Sequence, residues 1–90
     1  MRESAVESLF VQLAEADGWE VRKLTWPGRR GAPDRIIMRG PAPPALVFVE
    51  LKAPKGRLSV TQKREHARLR AMGFRVVVLW SCEMVREWFA

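Results

Sequence analysis

The stretch Leu46-Val47-Phe48-Val49-Glu50-Leu51-Lys52 decides how this chain is read. Starting at Ala45, its run of β-branched and aromatic side chains is the strongest strand signal in the sequence. Successive side chains of a strand point to opposite faces. Val47, Val49 and Leu51 therefore share one face, and Leu46, Phe48, Glu50 and Lys52 share the other. A carboxylate and an ammonium stand side by side at the end of a face that is otherwise apolar. Taken alone, such a pair also fits a strand emerging into solvent, where an ion pair contributes little.

Working outward, the residues before this strand raise its significance. Arg39-Gly40-Pro41-Ala42-Pro43-Pro44 is read as a hairpin connection, because prolines lack the N–H that a sheet ladder needs. Asp34 to Met38 is a short strand on the other side of it. With the turn near residues 41–44, counting back along the hairpin places Asp34 opposite the 50–52 end. Pro33-Asp34 is also a common turn pair, but here the partner strand supplies matching chemistry. Two carboxylates brought together repel and call for a cation between them. A hard divalent ion with oxygen ligands, Mg²⁺ or Mn²⁺, fits that donor set.

The remaining chain surrounds this hairpin with helices. Ser4 to Ala16 carries an apolar stripe of Val6, Leu9, Phe10, Leu13 and Ala14 at helical spacing, and Gly18 ends it. Trp19 to Leu24 alternates as a strand, and Trp26 to Pro33 is a loop rich in Gly, Pro and Arg. Beyond the Ala53–Leu58 loop, Ser59 with Gln62 three residues on forms a capping box that opens a helix reaching about Met72 and Gly73. Arg75 to Trp80 is a buried strand, and Ser81 or Cys82 starts a last short helix. The order α-β-β-β-α-β-α pairs the hairpin antiparallel and the last strand parallel through its crossover helix. An α/β fold with a mixed central sheet flanked by helices is expected, as one domain over residues 1–90.

Composition narrows the function classes. The single cysteine, Cys82, excludes an intrachain disulfide and a thiolate metal cluster. The N-terminus lacks the pattern of a signal peptide, and no apolar run approaches the roughly 20 residues of a membrane helix. A soluble, cytoplasmic protein with no membrane partner is expected. The formal net charge is +6 but unevenly spread: Arg22 to Arg75 holds 14 Lys or Arg against three acids, a local balance of +11. Such a concentration attracts polyanions. Two of the three acids in this basic region are Asp34 and Glu50. A non-catalytic, basic nucleic-acid-binding module is the alternative reading.

The motif Pro33-Asp34, then Glu50-Leu51-Lys52, resembles the PD-(D/E)XK nuclease signature. The runs Pro27-Gly28-Arg29-Arg30-Gly31-Ala32-Pro33-Asp34-Arg35 and Phe48 through Ser59, with Gln62 following, are similar to the virus-type replication-repair nuclease (VRR-NUC) family. The likeness covers nearly the whole chain and implies a PD-(D/E)XK αβββαβ core. It implies a Mg²⁺- or Mn²⁺-dependent DNA endonuclease of phage or bacterial type, a homodimer acting on branched DNA such as four-way (Holliday) junctions in DNA repair. Asp34, Glu50 and the backbone carbonyl of Leu51 would ligate the metal, and Lys52 would orient or activate the attacking water. A glutamate of the first helix would complete the site, Glu7 by its spacing from Gly18, with Glu3 as the alternative. Gln62 matches the glutamine that follows the motif lysine, although the capping box alone explains it.

The flanking cations have a corresponding reading. Arg29, Arg30 and Arg35 beside the aspartate, with Lys55 and Arg57 beside the Glu-x-Lys strand, are expected to clamp DNA phosphates. Trp26 either stacks on an unpaired base or anchors its loop on the core. His66, one turn beyond Gln62, reads as a packing residue. Val85, Trp88 and Phe89, or the face of the first helix, are expected to form a dimer contact.

Overall fold

The computed structural model describes residues 3–90, with Glu3 by its backbone only. Its elements are α1 (Glu3–Ala16), β1 (Glu20–Lys23), β2 (Arg35–Arg39), β3 (Ala45–Leu51), α2 (Val60–Ala71), β4 (Arg75–Leu79) and α3 (Cys82–Trp88). The order matches the expectation from sequence, with boundaries moved by a residue or two. The four strands lie side by side in the order β1-β2-β3-β4. β1, β2 and β3 pair antiparallel, and β4 joins β3 in parallel through the α2 crossover.

The alternation of β3 sorts the core into two layers. Val47, Val49 and Leu51 pack with Val6, Phe10 and Ala14 of α1 and Val85 of α3 on one face. Phe48 packs with Leu69 of α2 and Val76 of β4 on the other. Trp26 leans on Phe48 with ring centroids 6.2 Å apart, so it anchors its loop to this second layer.

Helix ends obey the local signals. Ser59 Oγ accepts from the Gln62 N–H at 3.0 Å and Gln62 Oε1 accepts from the Ser59 N–H at 2.8 Å, which is the expected capping box. At the far end of α2, the Gly73 N–H donates to the Arg70 carbonyl and the Phe74 N–H to that of Leu69. This pair of bonds closes the helix.

The residues expected to form a dimer contact also take part in the core, Val85 fully and Trp88 and Phe89 in part. Val85 is fully buried within the chain, Phe89 packs on Phe10 at 5.5 Å, and Trp88 packs on Trp19 at 6.1 Å. Val6, Phe10 and Ala14 are likewise fully buried under the sheet. These apolar side chains are engaged inside one chain because a small domain needs them for its own core.

Candidate active site

The hairpin register places the acidic pair. Arg35 lies opposite Val49, so the next step of the ladder sets Asp34 opposite Glu50. Asp34 precedes Arg35 and Glu50 follows Val49, so both project to the α2 face, where the sheet ends and a cleft opens. Asp34, Glu50 and Lys52 line the floor of that cleft, and Arg30, Arg57 and Gln62 are among its walls. The cleft thus brings together residues that are up to 32 positions apart in sequence, from Arg30 to Gln62.

Burial shapes the electrostatics. Glu50 is only 4% exposed. Its carboxylate lies 3.9 Å from Lys52 Nζ and 3.8 Å from His66 Nε2. Burial is the main influence on Asp34, pushing its carboxyl above the usual range. Arg35 and the backbone N–H of Leu51 oppose that shift, and Glu7 adds to it. Asp34 Oδ1 is buried with no hydrogen-bond partner in the protein. A buried, unpartnered carboxylate oxygen is costly, and a cation beside it would remove the cost. His66 is 1% exposed, and burial first, then Arg70, lowers its pKa and favours the neutral imidazole.

Glu7 reaches the same end of the sheet from α1. Its carboxylate pairs with Arg35 at 3.2 Å and acts on Asp34 electrostatically. The side chain of Glu3, its sequence alternative, lies outside the described residues. Among the described residues, no group of three or more His, Cys, Asp or Glu side chains is gathered closely enough to hold a metal as it stands. The donor set that fits a hard cation is therefore the Asp34–Glu50 pair, with Glu7 at the margin.

The cations divide into two kinds. Arg30 and Arg57 line the cleft, and Lys55 is exposed on the Ala53–Leu58 loop. Arg35 departs from its expected place on the DNA surface: it is 6% exposed and held by Glu7. Strand alternation explains this, because Arg35 shares a face with the buried Ile37 and points toward α1 rather than the cleft. Arg29 donates from Nε to Glu65 at 2.8 Å, and Arg68 donates from Nε and Nη2 to the same carboxylate at 3.1 and 3.0 Å. These bonds, that of Arg68 first, hold the Glu65 carboxyl down at about 2.

Two features were not legible from sequence. One is the contact of His66 with Glu50. The other is the Glu65 clamp, which ties the Gly-Arg loop to α2. A Glu one position before His66 on a basic helix is the sole sequence signal for either. The loop also needs Gly31, since a Cβ there would meet the Thr61 carbonyl oxygen at 2.6 Å. The glycine lets the loop backbone rest directly on the first turn of α2.

Comparison with known proteins agrees with this geometry. The profile of the VRR-NUC domain family matches residues 6–82. The chain is 39% identical over 84 residues to "Putative nuclease p44" of Acyrthosiphon pisum secondary endosymbiont phage 1, covering 93% of this chain and 88% of that protein. A solved structure described as a VRR_NUC domain superposes with a TM-score of 0.85 at 35% identity, over 94% of this chain and 90% of that one.

Proposed function

Since the chain belongs to the VRR-NUC domain family and is a nuclease domain, we propose that it hydrolyses phosphodiester bonds in DNA with Mg²⁺ or Mn²⁺. The observation that carries this reading is the half-buried Asp34, with one carboxylate oxygen buried and unpartnered, beside the buried Glu50 and with Lys52 next to it, in a cleft walled by Arg30 and Arg57. Asp34, Glu50 and the Leu51 carbonyl would hold the cation, with Glu7 completing the set. When bound, the cation supplies Lewis-acid activation and charge neutralisation at the scissile phosphate.

The side chains provide the rest. Lys52 Nζ, kept near Glu50 at 3.9 Å, places a positive charge where the attacked phosphate gains negative charge, and orients the attacking water. Arg30 and Arg57 hold the phosphodiester against the cleft. Gln62 contributes its side chain at the wall, oriented by the capping bond of its Oε1 to Ser59. His66 backs Glu50 from beneath.

The substrate in this reading is branched DNA such as a four-way junction, cut by a homodimer in repair or recombination. Twofold symmetry suits a junction whose strands are related in pairs. The half-buried Trp88 and Phe89 keep exposed surface for a dimer contact in this reading. Among the described residues, no helix is long and apolar enough to cross a membrane.

Cleavage of plasmid, linear, flap and four-way-junction DNA tests the proposal. Cleavage is expected with Mg²⁺ or Mn²⁺, to stop with EDTA, and to fall by at least about 10²-fold in Lys52→Ala. Cleavage that survives EDTA or Lys52→Ala would sink this mechanism. DNA binding with no cleavage under any metal would identify a non-catalytic module instead.

A further inference from the structure

Beyond the catalytic cleft lies a second concavity, lined by Gly28, Arg29, Arg30, Arg64, Glu65 and Arg68, with Thr61 at the junction between the two. Arg30 and Thr61 line both cavities, so the two adjoin. Four guanidinium groups stand against one carboxylate here. Glu65 is 5% exposed and engaged by Arg29 and Arg68, so it offsets one of the four positive charges and leaves the groove strongly basic. It sits beneath the arginines and fixes two of them in place, one from the loop and one from the helix.

We propose that this arginine groove is a phosphate-backbone subsite for the DNA strand that leaves the catalytic cleft, with Arg64 as a principal contact. The proposal rests on the nuclease reading above. Thr61, Arg64 and Arg68 recur at helical spacing along one face of α2. The seven steps from Thr61 to Arg68 cover about 10 Å at ~1.5 Å per residue. Phosphates of one strand are spaced more widely through space than their ~3.4 Å rise along a duplex axis, so the groove takes a short run of about two of them. Guanidinium forks suit phosphate oxygens, and prior fixation by Glu65 lowers the ordering cost of binding. The groove therefore sets the direction in which DNA runs across the protein: along α2, toward its C-terminal end.

Arg64 is the residue to test, because it is exposed and Arg29 and Arg68 also hold Glu65. Lys63 is its control, an exposed cation on the same helix that does not line the groove. Affinity for a duplex long enough to fill both cavities is measured by fluorescence anisotropy across a KCl series with EDTA present, for wild type, Arg64→Ala and Lys63→Ala. Arg64→Ala is expected to weaken binding several-fold and to reduce the log–log salt slope by about 0.9, the value for one lost phosphate contact. Lys63→Ala is expected to leave the slope unchanged. Circular dichroism confirms that both variants keep the fold. Equal effects of the two substitutions would overturn the groove while leaving the nuclease reading intact. A wild-type protein that binds no DNA under these conditions would overturn the groove, while the nuclease reading stands or falls on metal-dependent cleavage.

Discussion

Replacing Gly31 by alanine probes the contact that joins the Gly-Arg loop to α2. Gly31 has φ +81°, and an added Cβ would lie 2.6 Å from the Thr61 carbonyl oxygen, 2.7 Å from its carbon and 2.9 Å from the Gln62 nitrogen. All three atoms are backbone, so no side chain can swing aside. Gly28 supplies the control: its φ is +74°, yet a Cβ there meets nothing within 4 Å. Gly28→Ala therefore carries only the cost of a left-handed backbone, roughly 1–2 kcal/mol. Gly31→Ala carries that cost plus overpacking of about 1–3 kcal/mol, for a total of roughly 2–5 kcal/mol. At about 4–8 °C per kcal/mol for a domain of this size, the two substitutions separate clearly in a thermal melt.

The same clash has a functional consequence. Restoring contact from 2.6 Å to an ordinary 3.4 Å requires a displacement of about 0.8 Å. The loop that moves carries Arg29 and Arg30 and leads into Asp34. A misplacement near 1 Å lowers turnover on the order of 10²-fold. Thermal unfolding by circular dichroism and metal-dependent cleavage are measured on both variants. Gly31→Ala is expected to melt lower than Gly28→Ala and to lose far more activity. Equal melting temperatures and equal cleavage rates for the two variants would mean that the close approach of loop and helix has no energetic weight.

Two further substitutions address the ends of the same helix contact. Glu65 has its carboxyl pKa lowered from 4.5 to about 2 by Arg68 and Arg29. A depressed folded pKa means stability that is present above the unfolded value and lost as pH falls through the folded one. Glu65→Gln is thus expected to be less stable than wild type at neutral pH, with the difference shrinking below about pH 4.5 and vanishing toward pH 2. Denaturant titrations at several pH values measure this, and a pH-independent difference would contradict the clamp. Ser59→Ala removes the acceptor of the Gln62 N–H. It is expected to cost about 1 kcal/mol, with cleavage at permissive temperature little changed, because the Ser59 N–H that holds the Gln62 side chain is retained. Unchanged stability would refute the capping role.

Much of the candidate site was legible because it depends on short-range rules. Glu50 and Lys52 share a face by the two-residue period of a strand, whatever lies around them. Asp34 meets Glu50 because a hairpin converts equal counts on either side of its turn into spatial neighbours, and the observed register of Arg35 with Val49 follows that count. α2 was found from its ends rather than its middle. Its buried residues are Glu65, His66 and Leu69, so it has almost no apolar stripe, but Ser59, Gln62 and Gly73 mark where it starts and stops.

What escaped the sequence depends on which element lies over which. Arg35 stands next to Asp34 in the chain and by position belongs with the phosphate-binding cations, yet alternation sends it to the other face, where Glu7 of α1 receives it. Trp88 and Phe89 look fully exposed until α3 is seen to pack against α1, which leaves both half-buried. His66 behind Glu50, and Glu65 between Arg29 and Arg68, join residues separated by 16 and up to 36 positions. Local periodicity and turn counting determined the strands, the helix ends and the Asp34, Glu50, Lys52 trio. Only the packing of α1 and α2 on opposite faces of the sheet decided which charges are buried in pairs and which face the cleft. Alternation gives the face of Arg35, but no local pattern shows that Glu7 of α1 covers it or that Glu65 lies between Arg29 and Arg68, because those pairings are settled by the desolvation cost of each charge in its final surroundings.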